Sequence, residues 1–200
     1  MHEQFSLPGF EAALQPTDRL FFAIIPTKEA AARIIYQGEH LRDEYGLKGK
    51  LFGAGRLHVT LSYLGDYVGL SPEVVEVAMA AATSVNMAPF DVTFDRVASF
   101  QGRPRNRPFV MLAEQDSEKN ALLKVFQASL SGALDIALEK VGIRIAHPHY
   151  TPHVTLLYDN RFVSSRSIEP ISWTVREFIL VHSLLGRTRH VPLARWTLLP

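Results

Sequence analysis

One tetrapeptide occurs twice in this chain of 200 residues: His58-Val59-Thr60-Leu61 returns, about half a chain later, as His153-Val154-Thr155-Leu156. Each copy sits in a run of strand formers, Leu57 to Leu64 and Thr151 to Tyr158. In a strand, residues i and i+2 share a face. Each copy therefore sets an imidazole beside a hydroxyl and turns its valine and leucine toward a core. A single His-Val-Thr-Leu is more often plain strand than site. Two copies at matched strand positions favour two like strands facing one another across a pocket of two histidines and two threonines.

The chemistry open to that pocket is narrowed by composition. With no cysteine, disulfides, thiolate metal sites and cysteine nucleophiles are excluded. The 21 basic and 20 acidic residues leave a net charge of +1, which argues against coating long nucleic acids by bulk charge and leaves a local basic site open. Met1 to Gln15 contains Pro8 and Gly9 and lacks a signal-peptide pattern. Leu20 to Ile25 is far shorter than the roughly 20 residues of a membrane span. The expectation is a cytoplasmic monomer with no membrane partner.

Residues 1–18 read as an arm and 19–200 as one domain, since no linker divides them. Arg19 to Ile25 is a buried strand closed by Pro26. Thr27 caps a helix with Ala31, Ile34, Ile35, Leu41 and Tyr45 at helical spacing. Ser71-Pro72-Glu73 starts a second helix. Phe90 to Phe100 and Phe109 to Ala113 are strands. A long helix follows, capped by Asp116, closed at Gly142 and open to a bend at Gly132. Strands at 151–158, 173–183 and 190–198 complete the order β-α-β-α-β-β-α-β-β-β. Mixed elements of this kind predict an α+β fold with antiparallel sheets.

Two imidazoles with unperturbed pKa values of about 6.5 suit proton transfer near neutrality. One removes a proton from an attacking water, the other delivers one to a leaving oxygen, and the threonine hydroxyls hold a phosphate. This constellation needs neither metal nor cofactor. His147, His149 and His153 form a His-x-His-x-x-x-His run that suggests a metal, but prolines make it a turn and His153 already belongs to the repeat. His149 is better read as a rim residue. Arg103, Arg105 and Arg107 alternate in a Pro-flanked loop, either as a solvated turn or, Arg105 foremost, as an RNA phosphate clamp. Tyr63 and Phe100 suit base stacking or the core.

The paired motif resembles the 2H phosphoesterase superfamily, and within it the bacterial RNA 2',3'-cyclic phosphodiesterases, also called 2'-5' RNA ligases. Arg19 to Pro26, Leu57 to Asp66, Tyr150 to Leu156 and Phe178 to Leu185 carry the resemblance. It implies a bilobal, pseudo-twofold fold of two antiparallel sheets, with helices outside and a central cleft. One lobe is then built from both chain ends. It implies catalytic roles for His58 and His153, phosphate-holding roles for Thr60 and Thr155, and metal-independent opening of RNA-type 2',3'-cyclic phosphates to 2'-phosphates. The implied partners are RNA ends or nucleotides bearing such a phosphate. Close relatives often carry a basic residue two positions after the second motif; here that position is Tyr158, with Arg161 three residues on. Tyr158 suits base stacking, and Arg161 is the candidate substitute cation. The alternatives are a 2'-5' RNA ligase, a hydrolase of another cyclic or 2'-5' nucleotide linkage, or a non-catalytic RNA- or nucleotide-binding module.

Overall fold

A computed structural model describes residues 14–102, 106–113, 118–146 and 149–200. Its strands are β1 (Asp18–Ile24), β2 (Val59–Tyr67), β3 (Phe90–Ser99), β4 (Arg107–Leu112), β5 (His153–Asp159), β6 (Arg166–Val175), β7 (Glu177–Leu184) and β8 (Arg189–Thr197). The helices are α1 (Lys28–Glu44), α2 (Pro72–Thr83) and α3 (Ala121–Glu139). They build two four-stranded antiparallel sheets, ordered β2-β1-β7-β8 and β5-β4-β3-β6. The first sheet combines both ends of the chain. An exchange of β2 with β5, β1 with β4, β7 with β3 and β8 with β6 relates the two, the pseudo-twofold that the family resemblance implied.

Local chemistry explains the helix boundaries. The Thr27 hydroxyl accepts from the Ala30 N–H at 3.2 Å, and the Ser71 hydroxyl from Val74 at 3.4 Å, each satisfying an orphan donor of the first turn. Gly142, at φ +74°, takes the left-handed turn that closes α3, with its N–H on Glu139 and that of Ile143 on Leu138. α3 runs through Gly132 without division. Asp116 lies outside the described residues. The helix instead starts after Asn120, whose buried side chain exchanges hydrogen bonds with the Thr93 backbone at 3.0 and 2.8 Å and ties α3 to β3.

By length and composition α3 is apolar enough to span a membrane, but Leu123, Phe126, Leu130, Leu134 and Leu138 are fully buried in the core. Phe126 meets Phe178 of β7 edge-on and also contacts Phe90 of β3, so one core reaches both sheets. α1 covers the second sheet: Arg33 donates to the Pro170 carbonyl at 3.0 Å, and Arg166 reaches Glu44 at 2.6 Å.

The single strand expected at 173–183 is two. Its first part, in β6, pairs with β3; its second, in β7, pairs with β1 and β8. The chain crosses between sheets at Arg176, with no glycine or proline to mark the step.

Candidate active site

The motif strands β2 and β5 are edge strands of their sheets, and they meet across the cleft. Both carry a bulge at the same place. On β2, Thr60 lies opposite Ala23 and Ser62 opposite Phe22, which leaves Leu61 as the extra residue. On β5, Thr155 lies opposite Val110 and Leu157 opposite Phe109, which leaves Leu156 extra. An extra residue reverses the alternation. Both threonines thus share the cleft face with the tyrosine three positions later, Tyr63 or Tyr158.

His58, Thr60, His153 and Thr155 line one cavity of about 330 Å³. Each histidine is held in the same way. His58 Nδ1 donates to the Arg56 carbonyl at 2.8 Å, and His153 Nδ1 to the Thr151 carbonyl at 2.7 Å, in both cases two residues back. A carbonyl only accepts, so Nδ1 carries the proton in either charge state and Nε2 is left for chemistry. Phe21 lies under His58 with ring centres 5.0 Å apart, and Phe100 stands edge-on to His153 at 4.9 Å. Burial pushes His58 down to about 4, aided by the nearby His190, His153 and Arg56 and opposed by the Arg56 carbonyl. Burial lowers His153 as well, against its bond to the Thr151 carbonyl.

Two half-buried imidazoles and two hydroxyls, duplicated down to the backbone bulge, meet across one small cavity. Residues 28–187 match the family model described as the 2'-5' RNA ligase superfamily. The chain belongs to the 2'-5' RNA ligase superfamily. Its RNA 2',3'-cyclic phosphodiesterase relative from Escherichia coli K12 is 29% identical over 185 residues, covering 90% of this chain and 96% of that one. E. coli LigT complexed with 3'-AMP is 28% identical, with a TM-score of 0.65 over 93% of this chain and 100% of its own. A protein from Thermus thermophilus is 24% identical, with a TM-score of 0.69 over 90% and 97% of the two chains; that likeness is one of fold.

The other candidates divide in this superfamily member. Tyr158 is exposed, lines the cavity and lies 5.9 Å from Phe52, ring to ring. Arg161 is not brought to the histidines. Its guanidinium donates to the Tyr45 carbonyl at 3.0 Å and lines a separate hollow with Phe162 to Arg166. The reason is the neighbouring Asp159, whose carboxylate accepts from the Lys48, Gly49 and Arg161 backbones and turns the chain outward after β5. Arg105, Arg103 and His147 lie outside the described residues. Arg107 is tied to the Asn160 carbonyl at 2.7 Å. Among the described residues, no group of three His, Asp or Glu side chains converges as a metal site would require.

His149 lines a second hollow of about 440 Å³, which shares Thr60, Tyr63 and His153 with the first and adds Phe100, Gln127 and Tyr150. Tyr150 is raised by burial, and its buried hydroxyl has no hydrogen-bond partner among the described residues.

Three basic residues of the first cavity lie outside the repeated His-Val-Thr-Leu: Arg19, Arg56 and His190. Arg19 is committed to Asp66 through two bonds, of 2.7 and 2.8 Å. His190, opposite Ser183 on β8, brings its ring within 5.2 Å of His58 and is lowered by burial and by Arg56 and Arg19. It reaches the site because the β7–β8 hairpin is paired through β7 to β1, a long-range contact no local pattern encodes.

Proposed function

We propose that this protein opens RNA-type 2',3'-cyclic phosphates to 2'-phosphates by acid–base catalysis between His58 and His153, without a metal. The observation that carries the reading is the matched pair of imidazoles. Each has Nδ1 tied to a carbonyl, each has Nε2 left over, and each stands beside a threonine in one cavity. Burial keeps His58 neutral, which suits it to the role of base. Its Nε2 takes a proton from water as the water oxygen bonds to phosphorus. The bond from phosphorus to O3' breaks, and His153 Nε2 gives its proton to that oxygen. The products are a 2'-phosphate monoester and a free 3'-hydroxyl. Thr60 and Thr155 donate to the non-bridging oxygens, which gain charge in the transition state. The E. coli relative named an RNA 2',3'-cyclic phosphodiesterase supports this substrate class.

A second reading, cleavage or joining of 2'-5' linked nucleotides, is favoured by the second hollow, which shares His153, Thr60 and Tyr63 with the first. That hollow has room for another nucleoside against Phe100, Tyr63 and Tyr150. Mononucleotide and oligonucleotide cyclic phosphates and 2'-5' linked dimers, assayed side by side with the product phosphate located, decide between the two. His58→Ala and His153→Ala each lose on the order of 10²- to 10⁴-fold in turnover. Thr60→Ala and Thr155→Ala lose less, and activity survives EDTA. Near-normal turnover in both folded histidine variants refutes the mechanism; loss on chelation with rescue by a divalent ion replaces it with a metal-dependent one.

A further inference from the structure

Arg56 belongs by sequence to the approach to β2, and the fold brings it to the wall of the cavity that holds both histidines. It ends a single 3-10 turn, Ala54–Arg56, in the segment joining α1 to β2. That segment is fastened to β5: Phe52 N–H donates to the Leu156 carbonyl at 2.8 Å, and the Asp159 carboxylate takes the Lys48 and Gly49 N–H groups. The Arg56 guanidinium lies 3.9 Å from the centre of the Phe52 ring, and Phe52 in turn packs on Tyr158. This cation–π seat holds the group in place without neutralising it.

The same guanidinium lines the cavity of both histidines, and its Nε is buried with no hydrogen-bond partner. No carboxylate among the described residues pairs with it. Other arginines are paired: Arg19 with Asp66, Arg166 with Glu44, Arg195 with Glu177. A guanidinium without a carboxylate at the wall of a cavity is suited to an anion with several oxygens, which its outer N–H groups can meet.

We infer that Arg56 is the anion-binding cation of this site, and that its guanidinium, seated on Phe52, takes an oxygen of the substrate phosphate. The inference deepens the reading above and rests on it for the identity of the phosphate ester, but not for the binding of phosphate itself. The residue's backbone and side chain then act on the same event. The Arg56 carbonyl orients His58, and its charge favours neutral His58 until an anion arrives to offset it.

The experiment is a titration with inorganic phosphate, by calorimetry and as competitive inhibition of cyclic phosphate hydrolysis, on wild type, Arg56→Gln and Arg56→Lys. Arg56→Gln weakens phosphate binding about tenfold or more, and Arg56→Lys recovers part of it, because a charged donor is replaced first by a neutral one and then by a point charge. The limb of the kcat/KM profile that belongs to His58 moves to higher pH in Arg56→Gln and stays near its place in Arg56→Lys; a merely structural role moves neither. In wild type, phosphate slows phenylglyoxal modification of Arg56, mapped by mass spectrometry, a reading that needs no variant to fold. Equal phosphate affinity in folded Arg56→Gln overturns the inference, as does absence of phosphate protection in wild type. Arg56-dependent phosphate binding without turnover of any cyclic phosphate upholds it and sinks the phosphodiesterase reading instead.

Discussion

A histidine buried beside two other imidazoles and a guanidinium holds its proton weakly, and His58 at about 4 is neutral in the resting site at neutral pH. His153 is lowered too, so if His58 is the base and His153 the acid, as proposed, the base limb of the free enzyme lies near 4 and its acid limb below the ordinary value of about 6.5. The kcat/KM profile should therefore peak on the acid side of neutrality. A bound phosphate favours the protonated imidazoles and moves the kcat maximum to higher pH. Profiles of wild type, His58→Ala and His153→Ala check this: each variant loses its own limb, and a kcat/KM maximum above neutrality contradicts the assignment. The same shift acts on folding. Unfolded His58 protonates near 6.5 while the folded residue does not, so its contribution is complete above that pH and is lost as pH falls toward 4. His58→Asn keeps an N–H for the Arg56 carbonyl and does not titrate. Its thermal midpoint should fall less than that of wild type between neutral and mildly acidic pH; an equal fall removes His58 from the acid sensitivity.

At the scale of elements, the site depends on the loop between α1 and β2 lying flat on β5. Gly49 makes that possible, since a Cβ there would sit 2.0 Å from the Tyr158 carbonyl oxygen. Gly49→Ala should cost about 1–3 kcal/mol, the range for overpacking a tight contact, read from denaturant unfolding. It should also lower turnover, because the displaced loop carries Phe52, Arg56 and the carbonyl that orients His58. Unchanged stability and turnover would show that β5 and the loop tolerate separation. Asp159 completes the clamp. Burial works to raise its carboxyl, but the N–H donors of Arg161, Gly49 and Lys48 outweigh that and hold it below the ordinary carboxylate range. The matching bulges at Leu61 and Leu156 do the rest, presenting Tyr63 and Tyr158 on the faces of Thr60 and Thr155.

Taken whole, the molecule joins its two sheets through one apolar core. Phe22 and Phe178 of the first sheet, Phe90 and Phe94 of the second and Phe126 of α3 belong to a single buried cluster. β1 pairs with β7 across most of the chain's length, so the first sheet is not complete until the C-terminal strands are in place. Calorimetry should show one cooperative transition rather than one per sheet. A chain ending before β7 should fail to protect β1 and β2 from proteolysis. Two resolved transitions, or a stable truncated lobe, would make the sheets independent domains.

The local pattern alone determined the strands that carry His58 and His153, the helix starts at Thr27 and Ser71, the α+β class and the two His/Thr pairs. These depend on periodicity two, on capping hydroxyls and on a repeated word, all of which act over a few residues. Tertiary structure decided the rest. The passage from β6 to β7 at Arg176 changes sheets without changing strand chemistry, so alternation reads straight through it. Arg161 looked available by position and was withdrawn by the turn that Asp159 enforces. Arg56 and His190 sit in no motif, and they enter the cavity because a loop docks on β5 and the β7–β8 hairpin pairs with β1. A strand's own sequence selects its faces; the charges that surround its histidines come from contacts closed over a hundred residues or more.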